Sequence, residues 1–304
     1  MSDPFNTREH VPDFEAVVAG YRLRSQQTRA AHRTQPDVPY GDGADERLDL
    51  FFPDPLSTPA PIHVFVHGGY WRANRKEDYA FVAEPVLAAG GIAAIVEYSL
   101  MPSARMDHLV GQVRRAATWV AENAARIGGD PARLSASGHS AGAHLAFYMV
   151  AKGPHEADFP ATRVSRLLLV SGLYDLEPIS RSFLQAEIGL TSDEVARWSP
   201  VGADFPEAVE AHALVGAAET APFHEQAGRL SRRHGIGVTT LASLDHMTIA
   251  RDLGTPGAAA ADILRIVAGQ EHAPACGSGA RRAFVSNDGL GGAFGGCHPH
   301  CDPE

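Results

Sequence analysis

The sequence predicts an α/β fold, with a mostly parallel central sheet flanked by helices. Three observations carry this expectation. Short apolar, β-branched runs such as IHVFV at 62–66 and IAAIVEY at 92–98 read as buried parallel strands. Segments with apolar residues at helical spacing stand between them. Strands that alternate with helices along a chain build a parallel sheet covered on both faces.

The elements follow in order. Asp13–His32 reads as an amino-terminal helix, with Phe14, Val17, Val18 and Tyr21 on one face. The polar turn GDGADE leads to a strand in RLDLFFP, and Pro53 to Pro61 form a proline-rich connection. After the IHVFV strand, DYAFVAEPVLAAGG reads as a helix stopped by a glycine pair. IAAIVEY is the next strand. From Asp107 onward, Leu109, Val113, Ala117 and Val120 recur at helical spacing until Gly128–Gly129. RLSAS is a short strand, and GHSAGAHLAFYMVA reads as a tight turn followed by a long apolar helix. RLLLVSG, HALVGA and GVTTLA read as the last strands, with helix-like segments between them. Residues 1–270 are expected to form one domain. Residues 271–304 are rich in glycine and small residues, lack periodicity, and are expected to be a disordered tail.

Bulk properties exclude several classes. The chain of 304 residues is 44% hydrophobic and 20% charged, an ordinary composition for a globular protein. Its net charge of −10 argues against nucleic acid or an anionic membrane as the main partner. No run approaches the ~20 apolar residues of a membrane span. The first residues show no apolar core flanked by basic ones, so no signal peptide is read there, and a cytoplasmic location is expected. The sequence does not fix an oligomeric state, and a homodimer is compatible with it. Cys276, Cys297 and Cys301 all lie near the carboxyl end, which excludes cysteine chemistry in the main domain. The CHPHC stretch at 297–301 matches no common zinc spacing, and no metal is expected.

The chemistry is concentrated in GHSAG at 138–142. Gly-x-Ser-x-Gly between a short strand and a helix is the setting of a nucleophile elbow. A sharp turn holds the serine in strained geometry, so its neighbours must lack bulk. Ser140 is the candidate nucleophile. A serine hydroxyl needs a base, and in this topology the partners follow in the order serine, acid, histidine. His246, after the last expected strand, fits the base. His67 precedes the serine, and His139 and His144 lie too near it in the chain to reach over its hydroxyl. The acid has two candidates, Glu219 and Asp175, each following an expected strand. Glu219 is preferred because it follows the strand just before the one leading to His246.

HGGYW at 67–71 supplies the remaining pieces. Acyl transfer builds negative charge on a carbonyl oxygen, and backbone N–H groups stabilise it. Gly68 and Gly69 can approach closely, and Ala141, the residue after the nucleophile, adds another donor. Tyr70 and Trp71 are expected at the mouth of the site as substrate-binding aromatic walls.

These residues resemble those of the serine-dependent kynurenine formamidases (arylformamidases), in the hormone-sensitive-lipase-like branch of the α/β-hydrolases. The resemblance rests on VFVHGGYW, YSLMP, GGDPARLSASGHSAGAHL, SGLYDLEP, ETAPFHEQ and DHMTI, in family order through residues 12 to 270. It implies an α/β-hydrolase fold and hydrolysis of N-formylkynurenine to kynurenine and formate, with no cofactor. The partner it implies is a small-molecule aryl amide or ester. The family more often has Asp where this chain has Glu219. Related sequences include carboxylesterases and amidases acting on other small aryl compounds.

Overall fold

The computed structural model describes residues 3–269; the expected tail at 271–304, with all three cysteines, lies outside the described residues. Eight strands form one sheet in the order β1-β2-β4-β3-β5-β6-β7-β8. They are β1 (Arg33–Pro39), β2 (Arg47–Phe52), β3 (Ala60–Val66), β4 (Ile92–Val96), β5 (Gly129–His139), β6 (Val164–Val170), β7 (Glu210–Gly216) and β8 (Gly237–Leu241). β1 and β2 run antiparallel, and all pairings from β4 to β8 are parallel.

Side-chain alternation divides the interior into two layers. Val64, Val66, Ala94, Val96, Leu167, Leu169, Ala213 and Val215 face the layer that contains the helix Met106–Ile127. Phe65, Ala93, Ile95, Leu168, Val170 and Leu214 face the other, with Tyr21, Tyr79, Phe81, Leu253 and Leu264. Both faces of β3 are buried, which is why IHVFV is continuously apolar but for one histidine. That residue, His63, lies between the hydroxyls of Ser135 (Nδ1 to Oγ 2.8 Å) and Ser137 (Nε2 to Oγ 2.6 Å), and burial lowers its pKa to about 3.

The registers set up the site. Val66 pairs with Gly138, His139 with Val170, Val170 with Leu214, and Gly216 with Leu241. The carboxyl ends of β3, β5, β6, β7 and β8 are therefore level, and five loops leave one edge together.

The structure differs from the sequence reading at three places. The sequence reading assigns no strand to β1. It pairs antiparallel at the sheet edge, carries two prolines and is mostly exposed, so it lacks the apolar signature of the other strands. The segment 78–91 is not one helix but a 3-10 stretch (Lys76–Val82) followed by a short helix (Ala83–Ala88). The long helix expected after Ser140 spans only Ala141–Phe147. Beyond it, Met149 and Val150 bond to carbonyls three residues back, which tightens the chain out of α geometry.

Candidate active site

Ser140 sits between the end of β5 and the helix Ala141–Phe147 with φ 57° and ψ −121°, a conformation that few non-glycine residues adopt. The turn is held by the Ser140 N–H donating to the Val170 carbonyl (2.8 Å) and by the Ser140 carbonyl accepting from Ala143 N–H (3.0 Å). A Cβ at Gly138 would lie 2.2 Å from the Gly142 carbonyl oxygen, and one at Gly142 would lie 2.1 Å from that of Val66. Both glycines are therefore required for the turn to close against β3.

His246 follows β8 in a loop that Asp245 organises. Asp245 Oδ1 accepts from the N–H groups of Met247 (2.9 Å) and Thr248 (2.8 Å) at the start of the helix Thr248–Leu253. The imidazole Nε2 is 2.9 Å from Ser140 Oγ, and Nδ1 is 2.8 Å from Glu219 Oε2. The second carboxylate oxygen of Glu219 accepts from Ser171 Oγ–H (2.6 Å) and Gly216 N–H (2.7 Å). Asp175, the other candidate acid, is turned away. Its Oδ2 pairs with Arg229 and its Oδ1 accepts from Glu177 N–H at 3.1 Å. Ser140, Glu219 and His246 are 3%, 8% and 4% exposed. A hydroxyl, an imidazole and a carboxylate in this order can pass a proton from oxygen to nitrogen while the carboxylate balances the ring's charge.

The competing histidines have other partners. His139 donates from Nε2 to the His246 carbonyl at 2.8 Å; burial, and then the neighbouring His246 ring, hold its pKa well below the ordinary value. His144 faces the Trp198 carbonyl (2.7 Å), and burial lowers its pKa to about 4. His67 Nε2 is 3.0 Å from Glu97 Oε1.

The loop after β3 lies against the serine. A Cβ at Gly68 would come within 2.9 Å of the His139 ring and carbonyl and 3.2 Å of Ser140 Cβ. Gly69 has φ +125°, and a Cβ there would lie 2.1 Å from the Ala73 carbonyl oxygen. The Gly68 carbonyl accepts from Asn74 Nδ2–H (3.2 Å) and faces His67 Nδ1 (2.9 Å). In a planar trans peptide the C=O and N–H point in opposite directions. Pinning the Gly68 carbonyl from one side therefore aims the Gly69 N–H to the other. Ala141 opens its helix, so its N–H has no acceptor within that helix.

The placement of Tyr70 and Trp71 corrects the expectation of aromatic walls at the mouth. The N–H groups of Arg72 and Ala73 both bond back to the Gly69 carbonyl, and this reversal swings Trp71 inward. Trp71 is fully buried, with its indole N–H 3.3 Å from His144 Nδ1. Tyr70 is also buried; its phenol donates to the Phe5 carbonyl at 2.5 Å. The aromatic ring beside His246 is Phe223, with centroids 4.2 Å apart, and Phe5 meets Phe223 edge-on at 5.9 Å. The segment Asp3–Phe5 also ties down the rim. Asp3 Oδ2 accepts from Phe183 N–H (2.6 Å), and the Pro4 carbonyl accepts from Thr220 Oγ1–H (2.7 Å).

Comparison with known proteins agrees with this architecture. A solved structure of a Silicibacter protein superposes with a TM-score of 0.74 at 26% identity, covering 87% of this chain and 97% of that one. The esterase of Pyrobaculum calidifontis gives 0.64 at 17% identity over 84% and 93%, a likeness of fold alone. The fold is that of the α/β-hydrolases. Within this α/β-hydrolase the BD-FAE family model matches residues 48–166, which hold the Gly68–Gly69 loop and the Ser140 turn. The kynurenine formamidase of Danio rerio is 34% identical over 185 residues, 61% of each chain. Esterase LipQ of Mycobacterium tuberculosis is 34% identical over 149 residues, 46% of this chain and 35% of that protein. The chain spans about three fifths of the length of the kynurenine formamidases of Danio rerio and Salmo salar that it matches. Among the described residues, no helix is long and apolar enough to cross a membrane.

Sequence reasoning missed Ser171, Asn74, Phe223 and the Asp3–Phe5 segment. Only Ser171 carried a local signal, since it directly follows an apolar strand at the edge where the other loops gather.

Proposed function

We propose that this protein is a serine hydrolase that cleaves aryl formamides, converting N-formylkynurenine to kynurenine and formate. The observation that carries the reading is the continuous hydrogen-bonded chain from Ser140 Oγ through His246 to Glu219. In this mechanism Ser140 Oγ attacks the formyl carbon as His246 Nε2 takes its proton. Glu219 holds the imidazole in register and balances its charge. The N–H groups of Gly68, Gly69 and Ala141 receive the developing oxyanion. When the C–N bond breaks, His246 returns the proton to the departing aryl amine. Water then attacks the formyl-serine, His246 takes its proton and passes it to Ser140 Oγ, and formate leaves.

Two observations support a small acyl group. Ser140 is almost wholly covered, and Gly68 lies against its Cβ. Phe223, packed on His246 with ring centroids 4.2 Å apart, makes the surroundings of the imidazole apolar. Likeness to kynurenine formamidases supports the formamide in particular.

A carboxylesterase acting on other small aryl esters is the second reading. It is favoured by likeness to LipQ and to an isoprenylcysteine methylesterase of Arabidopsis thaliana, 30% identical over 136 residues. One experiment separates the two: an acyl series from formyl to hexanoyl on a single aryl leaving group, with N-formylkynurenine alongside. A maximum in kcat/KM at formyl is expected. A maximum at butyryl or longer would replace the formamidase with the esterase.

A further inference from the structure

We infer that Ser171 is a positioning residue that fixes the Glu219 carboxylate for its work on His246; this rests on the serine-hydrolase reading above. Glu219 leaves the end of β7 on a side chain with three rotatable torsions. A Glu carboxylate is harder to fix than an Asp carboxylate, and orientation decides whether one oxygen faces the imidazole squarely. The structure supplies two donors on the far side. Gly216 N–H and Ser171 Oγ–H both bond to Oε1, at 2.7 and 2.6 Å, which leaves Oε2 for His246 Nδ1 at 2.8 Å. The first donor comes from the turn carrying Glu219 itself. The second comes from a different strand and so ties the acid to the sheet.

The backbone at Ser171 is arranged for this reach. It has φ 50°, in the left-handed region, where a non-glycine residue is uncommon. Its N–H donates to the Leu214 carbonyl (2.8 Å), so the residue continues the β6–β7 ladder one step past the strand end. The hydroxyl is buried with the carboxylate, and it donates to Glu219 Oε1.

The test compares Ser171→Ala with Ser171→Gly. Both remove the hydroxyl, but glycine accepts the left-handed backbone without strain. If the hydroxyl positions Glu219, both variants lose kcat about 10- to 100-fold, the effect of one hydrogen bond to a charged group, with KM unchanged. A carboxylate that has lost a donor accepts more strongly from the imidazole. The acid limb of kcat/KM then moves to higher pH by about half a unit in both variants. If Ser171→Gly keeps the parent rate, the residue serves the backbone and the inference fails. It fails equally if both variants keep the rate, or if both lose rate with the acid limb in place. Labelling of Ser140 by an aryl phosphonate in the parent protein checks the underlying reading separately. Absence of labelling would remove that reading whatever Ser171 does.

Discussion

Two histidine–glutamate pairs flank the same serine turn, and only one of them reaches the serine hydroxyl. His246 meets Glu219 through Nδ1 at 2.8 Å and presents Nε2 to a hydroxyl. His67 meets Glu97 through Nε2 at 3.0 Å and presents Nδ1 to the Gly68 carbonyl. The residue types are identical, but the far nitrogen of His67 faces an oxygen with no proton to give. His67 is also stacked on Tyr98 at 4.3 Å, whose hydroxyl donates to the His67 carbonyl. In the proposed mechanism the first pair moves protons; the second bonds to the backbone of the loop after β3. What a histidine–carboxylate pair does is decided by the atom on its other side.

Substitutions can break this comparison. The largest effect is expected at the proton-moving pair: His246→Gln should lower kcat by about a millionfold, as loss of a triad base does elsewhere. His67→Gln should cost no more than about 100-fold, since it disturbs one face of the loop proposed to hold the oxyanion. Comparable losses in a steady-state assay would erase the distinction. One step smaller, Glu219→Gln should reduce kcat by about three to four powers of ten. Glu97→Gln and Asp175→Asn should each cost far less, and a reversed order would move the acid role to one of them. Smaller again is Asn74→Ala, which removes the second grip on the Gly68 carbonyl. A loss of about tenfold in kcat, with KM little changed, is expected from one hydrogen bond of this kind; an unaltered kcat would free the loop from Asn74.

The last prediction concerns histidines with no carboxylate at all and affects stability rather than rate. Burial lowers His63 to about 3 and His144 to about 4, and His139 is also lowered. An unfolded histidine takes up a proton below about pH 6.5. The folded chain refuses that proton, so the unfolded state binds more protons and stability falls as pH drops from about 6.5 toward 4. Each such histidine should remove about 1 kcal/mol per pH unit in this window. Melting temperatures measured from pH 7 to pH 4.5 should decline steadily; a flat profile would mean that these rings accept protons in place.

How much of this was legible in the sequence follows from how local each constraint is. The serine turn was legible because GHSAG is a local pattern between a strand and a helix, although only Gly138 answers a clash inside it and Gly142 answers one with Val66 on β3. Glu219 was preferable to Asp175 from strand order alone; in the structure Glu219 faces His246 and Asp175 pairs with Arg229. Trp71 was misplaced because nothing in HGGYW tells which way the loop turns after Gly69. Its direction is set by a pocket beside His144, far along the chain. β1 was missed because its stability comes from pairing with β2 rather than from its own apolar content. The Asp3–Phe5 segment was invisible for the same reason, since its partners lie near residues 70, 183 and 220.

The backbone of Ser140 carries one more consequence. Its φ of 57° with ψ of −121° is a posture that glycine adopts freely and serine only under strain. Ser140→Gly would relax that tension while leaving the turn's neighbours untouched. An inactive protein with a melting point above that of the parent is the expected result, worth about 1–3 kcal/mol. Selection for fold stability alone would favour glycine at this position. On the proposed mechanism, the serine there marks a compromise in which the molecule keeps a less comfortable chain to hold one oxygen where it can react.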